Sequence, residues 1–149
     1  MAVLRWAMLC ERAIVEAETS NLSIICVLDE IRLDRAPPPE LAKEERPRFI
    51  LHSFTVVQLW SRSDEDKPEK FPVRSQLASP DGKVFGGAEQ VVDLTNRQHS
   101  RVITRAPGFP WRGPGRYVVT IQSKAGKKWR TVERLHFKVA VLKPAAPTS

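Results

Sequence analysis

Turn-forming residues punctuate this chain at intervals of about ten to fifteen residues, and that rhythm constrains its fold more than any motif does. Between clusters of Gly, Pro, Asn and Asp lie short runs rich in Val, Ile, Thr and aromatic residues. No window sustains the 3.6-residue apolar stripe of a surface helix. The expectation is one all-β domain, an antiparallel β-sandwich of about eight strands.

The strands are expected at 3–15, 22–33, 49–62, 71–79, 83–94, 100–104, 116–123 and 128–141. The first two form a long hairpin around Glu18-Thr19-Ser20-Asn21, with apolar residues on both faces, as a doubly covered or central ribbon requires. A helix over Leu4–Ala17 is the competing reading, because Ala, Glu and Leu favour helices. Phe71, Val73, Ser75 and Leu77 alternate with Arg74 and Gln76, the pattern of a half-buried strand. Ser79-Pro80-Asp81-Gly82 is a turn in which Pro pre-sets φ and Gly accepts a positive one. Gly86-Gly87 implies a bulge or an edge kink in the next strand. The prolines of residues 35–48 forbid a central strand there, so this is an extended connection within the domain. The domain then spans 1–142, with 143–149 a flexible C-terminal tail.

Gly113-Pro114-Gly115-Arg116-Tyr117-Val118-Val119-Thr120-Ile121 resembles the late strand of immunoglobulin-like sandwiches. In those folds a tyrosine hydroxyl closes a corner with upstream backbone, and Tyr117, the only tyrosine, would take that part. Leu77–Lys83 resembles a mid-domain hairpin of such modules. The opening Leu9-Cys10-Glu11-Arg12-Ala13-Ile14-Val15, followed by Asn21-Leu22-Ser23-Ile24-Ile25, resembles small bacterial proteins of unknown function that are immunoglobulin-like. The resemblance implies a single immunoglobulin-like fold and no activity.

The composition, 42% hydrophobic and 28% charged, is that of a globular chain. No stretch reaches the roughly 18 apolar residues of a spanning helix. Met1–Cys10 lacks a basic lead-in, and Arg5 interrupts its apolar run, so it reads as a first strand rather than a signal peptide. Cys10 and Cys26 sit in apolar segments and are expected as buried free thiols, in keeping with a cytoplasmic protein.

The sequence holds no phosphate loop, nucleophile elbow or histidine pair at ligand spacing, so no catalytic residue, cofactor or metal is assigned. His52, His99 and His136 read as unrelated side chains. Asp64-Glu65-Asp66 with Glu69 has the charge for Ca²⁺ but no glycine to wind a cage, and reads as a solvated loop.

Charge asymmetry is the unusual feature. Of a net +7, residues 97–149 carry +11, twelve Lys and Arg against the single acid Glu133, and the preceding part carries −4. Strand alternation sends Tyr117, Val119, Ile121, Leu135, Phe137 and Val139 inward. It sends Arg116, Lys124, Arg130, Arg134, His136 and Lys138 outward, with Lys127 and Lys128 at the hairpin tip. This basic face either binds nucleic acid or another polyanion, or keeps the sheet soluble. A second candidate is the loop bearing Phe109, Trp111 and Arg112, which either anchors an interface or plugs the end of the domain. The expected function is a non-enzymatic module acting through a protein partner or a second copy of itself, with nucleic-acid binding the alternative. No membrane or small-molecule partner is evident.

Overall fold

The computed structural model describes residues 2–35, 37 and 49–143. Their fold is all-β: eleven strands in three sheets. The strands are β1 (Val3–Val15), β2 (Leu22–Val27), β3 (Glu30–Arg35), β4 (Phe49–Ile50), β5 (Phe54–Ser61) and β6 (Lys70–Ala78). Then follow β7 (Val84–Asp93), β8 (His99–Ala106), β9 (Phe109–Pro110), β10 (Gly115–Ala125) and β11 (Lys128–Lys143). A four-stranded sheet runs β2-β1-β5-β8, a five-stranded sheet runs β3-β11-β10-β6-β7, and β4 pairs with β9 as a short ribbon.

Three differences turn the eight expected strands into eleven. The second splits at Leu28-Asp29, where the chain crosses from one sheet to the other. Cys26 adopts φ 55°, ending β2, and Leu28 is buried in the crossing. Beyond it β3 pairs with β11 in parallel, so the sheet is mixed. The third splits at Leu51–Ser53 into β4 and β5, and the short β9 answers β4. Leu4–Ala17 is strand through Val15, because β1 is flanked by β2 and β5 and its backbone is used on both sides. Most of the proline-rich connection, and the tail beyond Lys143, lie outside the described residues.

One core joins the two large sheets. From the four-stranded sheet come Leu9, Phe54, Val56, Trp60 and Val102; from the other come Val73, Val92, Val119, Ile121 and Val139. Phe137 is its hub, with ring centroids 5.4 Å from Phe54, 5.5 Å from Tyr117 and 5.7 Å from Phe109. Offset and edge contacts of this kind add about 0.5–1.5 kcal/mol each beyond area burial. Polar bridges join the sheets as well: Trp60 Nε1 donates to Gln58 Oε1 at 2.8 Å, Gln58 Nε2 donates to Ser75 Oγ at 3.3 Å, and Thr104 Oγ1 donates to Gln90 Oε1 at 3.0 Å.

β5 is buried on both faces, as its near-continuous apolar run demands. Arg101 of β8 donates to the Ser20 carbonyl at the tip of the β1–β2 hairpin, although β2 and β8 are opposite edges of the sheet. The hairpin therefore curls over the outer face of β5. There Ala13, Cys10, Leu22 and Ile24 cover Val57, which has no solvent exposure.

Cys26 corrects an expectation. Cys10 is buried, but Cys26 is exposed, and both are free. Cys10 stands opposite Val27, so Cys26 falls on the other side of the ribbon and cannot reach it. Burial raises the Cys10 thiol above its ordinary pKa, which slows its reaction. A maleimide should modify one thiol per native chain and two after unfolding, as mass spectrometry would read.

The tyrosine corner is formed. Tyr117 Oη donates to the Gly113 carbonyl at 2.9 Å and accepts from the Arg112 backbone N–H at 3.0 Å. Tyr117→Phe leaves that N–H without its acceptor and should cost about 1–3 kcal/mol in chemical denaturation. Gly108 sets the neighbouring ribbon, because a Cβ there would stand 2.0 Å from the Ile50 carbonyl oxygen.

Candidate nucleic-acid interface

The outer face of the five-stranded sheet is built by register. Residues directly opposite share a face. Arg116 stands opposite Lys138, Val118 opposite His136, Thr120 opposite Arg134 and Lys124 opposite Trp129. The inward partners alternate with them: Tyr117 with Phe137 and Val119 with Leu135. The packing that buries these side chains therefore forces the cations outward. β6 continues the rows, with Gln76 opposite Thr120 and Arg74 opposite Gln122. From Arg116 to Lys124 the stripe runs about 27 Å, at roughly 3.4 Å per residue.

Arg130 does not belong to it. The register shifts between Ile121 and Gln122, with Val132 as the extra residue on β11, so Arg130 stands opposite the buried Ser123. A bulge flips every later side chain to the other face, and strict alternation cannot foresee one. The same shift brings Trp129 to the outer face. The Arg74 guanidinium lies 4.2 Å from the Trp129 ring centroid and Lys124 Nζ lies 5.6 Å from it. Arg74 Nε also donates to Gln122 Oε1 at 2.6 Å, so its plane is fixed on two sides. Alternation marked Arg74 as outward; only the pairing of β6 with β10 adds it to the stripe.

Acids sit at the margins. Glu30, on the edge strand β3, stands opposite Lys138 and pairs with Arg32 at 3.3 Å. Glu89, on the edge strand β7, stands opposite Arg74. On β11, Glu133 accepts the backbone N–H of Arg134. At the other end a depression of about 480 Å³ lies between Asp29, Gly115, Arg116, His136 and Lys138. Lys127 and Lys128 are exposed at the hairpin tip, which turns on Gly126 at φ 64°.

The aromatic loop is core. Phe109 and Trp111 are 0% and 2% exposed, and Phe109 packs edge-on against Tyr117 at 5.1 Å. They plug the end of the domain and offer no anchor to a partner. Arg112 pairs with Asp81 of the β6–β7 turn, its Nε 3.0 Å from Oδ2, so its charge is already met. Among the described residues no three His, Cys, Asp or Glu side chains gather to hold a metal. His52 lies 3.9 Å from Glu11 and far along the chain from His136. In the acidic loop, Asp64 pairs with Lys67 at 3.4 Å. No helix is long and apolar enough to cross a membrane among the described residues.

Hydrogen bonds from Arg112 and Ser79 pull Asp81 down from 3.8 to about 2. A depressed carboxylate adds stability above its unfolded pKa and loses it as pH falls through the folded one. With Asp81 partly exposed, screening leaves about 1 kcal/mol. Asp81→Asn should be less stable by that amount at pH 7, and the gap should close between pH 4 and pH 2 in denaturation curves.

No protein family and no curated sequence matches the chain. Among solved structures, a glycosyl hydrolase family 2 member from Bacteroides cellulosilyticus aligns with 59% of this chain at 12% identity and a TM-score of 0.46, too distant for argument. An alkylpurine DNA glycosylase from Pseudomonas fluorescens, solved on DNA containing an abasic site analog, aligns with 93% of this chain at 11% identity and a TM-score of 0.50. This chain corresponds to 12% and 30% of those two proteins, and the likeness is one of fold alone.

Proposed function

We propose that this chain is a non-enzymatic, immunoglobulin-like binding module whose working surface is the cationic stripe on β6, β10 and β11. Its partner is nucleic acid, held through its phosphates. The observation that carries this is the row-by-row alignment of Arg116, Lys138, Arg134, Arg74 and Lys124 on one outer face. Solubility alone asks only for scattered charges of both signs. Here the cations gather on β6, β10 and β11 while the acids Glu30 and Glu89 stand on the flanking edge strands, and such a central cationic band suits a polymer with regularly spaced charges. Trp129 holds two of these cations, Arg74 and Lys124, in place on that face.

The tyrosine corner supports the immunoglobulin-like reading. The DNA-bound glycosylase shares the fold at 11% identity, and the nucleic-acid reading rests on charge, not on that likeness. A protein partner is the second reading. It keeps one observation: the edge strand β7 exposes Val84 and Val91, where a partner's strand or a second copy would add.

Binding of a mixed-sequence DNA duplex tests the proposal. If about four phosphates are neutralised, a fourfold rise in salt should weaken binding on the order of 100-fold. Arg116→Glu with Arg134→Glu and Lys138→Glu should abolish binding, while Arg130→Glu, off the face, should have a much smaller effect. Absence of binding at low salt would overturn the reading in favour of a protein partner.

A further inference from the structure

The two ends of the cationic stripe differ. At the hairpin tip it runs on into Lys127 and Lys128, both exposed. At the other end it stops. Val139 and Val141 pack on the core, so the next outward positions of β11 after Lys138 are Ala140 and Leu142, neither charged. Asp29 and Glu30 close the same end from the side, where β3 enters the sheet. A run of phosphates along the stripe can continue past the hairpin tip, but past Lys138 it meets acids and uncharged side chains.

Cations are densest at this closed end. Arg116 stands opposite Lys138, and His136 lies two residues before Lys138 on the same face. Opposed Cβ atoms are about 5 Å apart and alternate ones about 7 Å, so all three side chains reach one point. They line the depression of about 480 Å³, together with Asp29 and Gly115. Among the described residues none of the three is in an ion pair. Glu30 accepts instead from Arg32 Nε and Nη2, each at 3.3 Å. Further along, the rows hold one cation each: Arg134 opposite Thr120, and Arg74 opposite Gln122.

An internal phosphodiester carries one negative charge, which one cation matches. A phosphate monoester carries about −1.5 to −2 at pH 7, with three acceptor oxygens. Arg116 and Lys138 supply two charges, and even a neutral His136 supplies one N–H donor. Resting on the nucleic-acid reading above, we propose that this depression holds the terminal phosphate monoester of a strand. The following phosphates of that strand lie along the remaining cations, since about 27 Å spans roughly eight phosphates of one duplex strand.

Fluorescence anisotropy at low salt tests this with a duplex of about 12 base pairs, long enough to cover the stripe. Its ends are 5′-hydroxyl, 5′-phosphate or 3′-phosphate. All forms should bind, and at least one phosphorylated form should bind about tenfold tighter than the hydroxyl form, the sum of two or three exposed charge contacts. Arg116→Gln with His136→Gln should remove that preference and weaken the hydroxyl duplex only about threefold. Both side chains are exposed, so this variant should keep the parent's melting temperature. Lys124→Gln with Lys127→Gln, at the open end, should weaken every duplex alike and keep the preference. Methyl phosphate, too small to reach the stripe, should bind at least about 100-fold more weakly than the phosphorylated duplex.

Equal binding of hydroxyl and phosphate ends would overturn the terminal site and leave the stripe in place. So would a preference that survives Arg116→Gln with His136→Gln, or one lost with Lys124→Gln and Lys127→Gln. Methyl phosphate binding as tightly as the duplex would give the depression to a free monoester instead. Failure of every duplex to bind would overturn the stripe itself, and this site with it.

Discussion

The packing of Phe137 against Phe54, Phe109 and Tyr117 is the interaction on which the rest of the structure hangs. It ties the central strand of one sheet to the central hairpin of the other and draws the loop after β8 into the core. Tyr117 then fixes that loop through its hydroxyl, because a buried phenol must find hydrogen-bond partners. Burial also raises the Tyr117 pKa above its ordinary value, so the corner stays protonated throughout the physiological range. Arg112, carried on the same loop, reaches Asp81 and joins the β6–β7 turn to the start of β10.

The cationic stripe follows from this core. Alternation leaves no choice: with Tyr117, Val119, Phe137 and Val139 inward, Arg116, His136 and Lys138 must face water. The register shift near Ile121 then exchanges Arg130 for Trp129 on the outer face. The aromatic and the two cations that pack on it owe their meeting to one extra residue. A second register shift, opposite Ser75–Leu77, has a comparable effect: with Gly86 and Gly87 it leaves a groove open between β7 and β8.

Much of this was legible in the residues. The β10–β11 hairpin, its inward set, its outward set apart from Arg130, and the kink at Gly86-Gly87 follow from short-range rules, and the part taken by Tyr117 follows from the resemblance. The misses have a common cause. Nothing local told that the chain would leave its strand at Cys26 and re-enter the opposite sheet as β3, or that β3 would run parallel to β11. Cys26 was therefore expected inside, because its apolar neighbours read as one buried strand. Phe109, Trp111 and Arg112 were open to two readings, since a loop of aromatics and prolines looks alike whether it faces a partner or its own core.

By itself, then, the sequence determined the period-two alternation, the turns and the concentration of positive charge in the last third, all properties of neighbouring residues. Only the tertiary structure decided which strands lie side by side. That choice brought Arg74 to Trp129, separated Arg130 from Arg134, and set small residues of β7 near Ala106 and Gly108 at the end of β8. The physical reason is that pairing is settled by how whole faces fit around Phe137, and contacts between strands far apart in the chain leave no periodic trace in either strand.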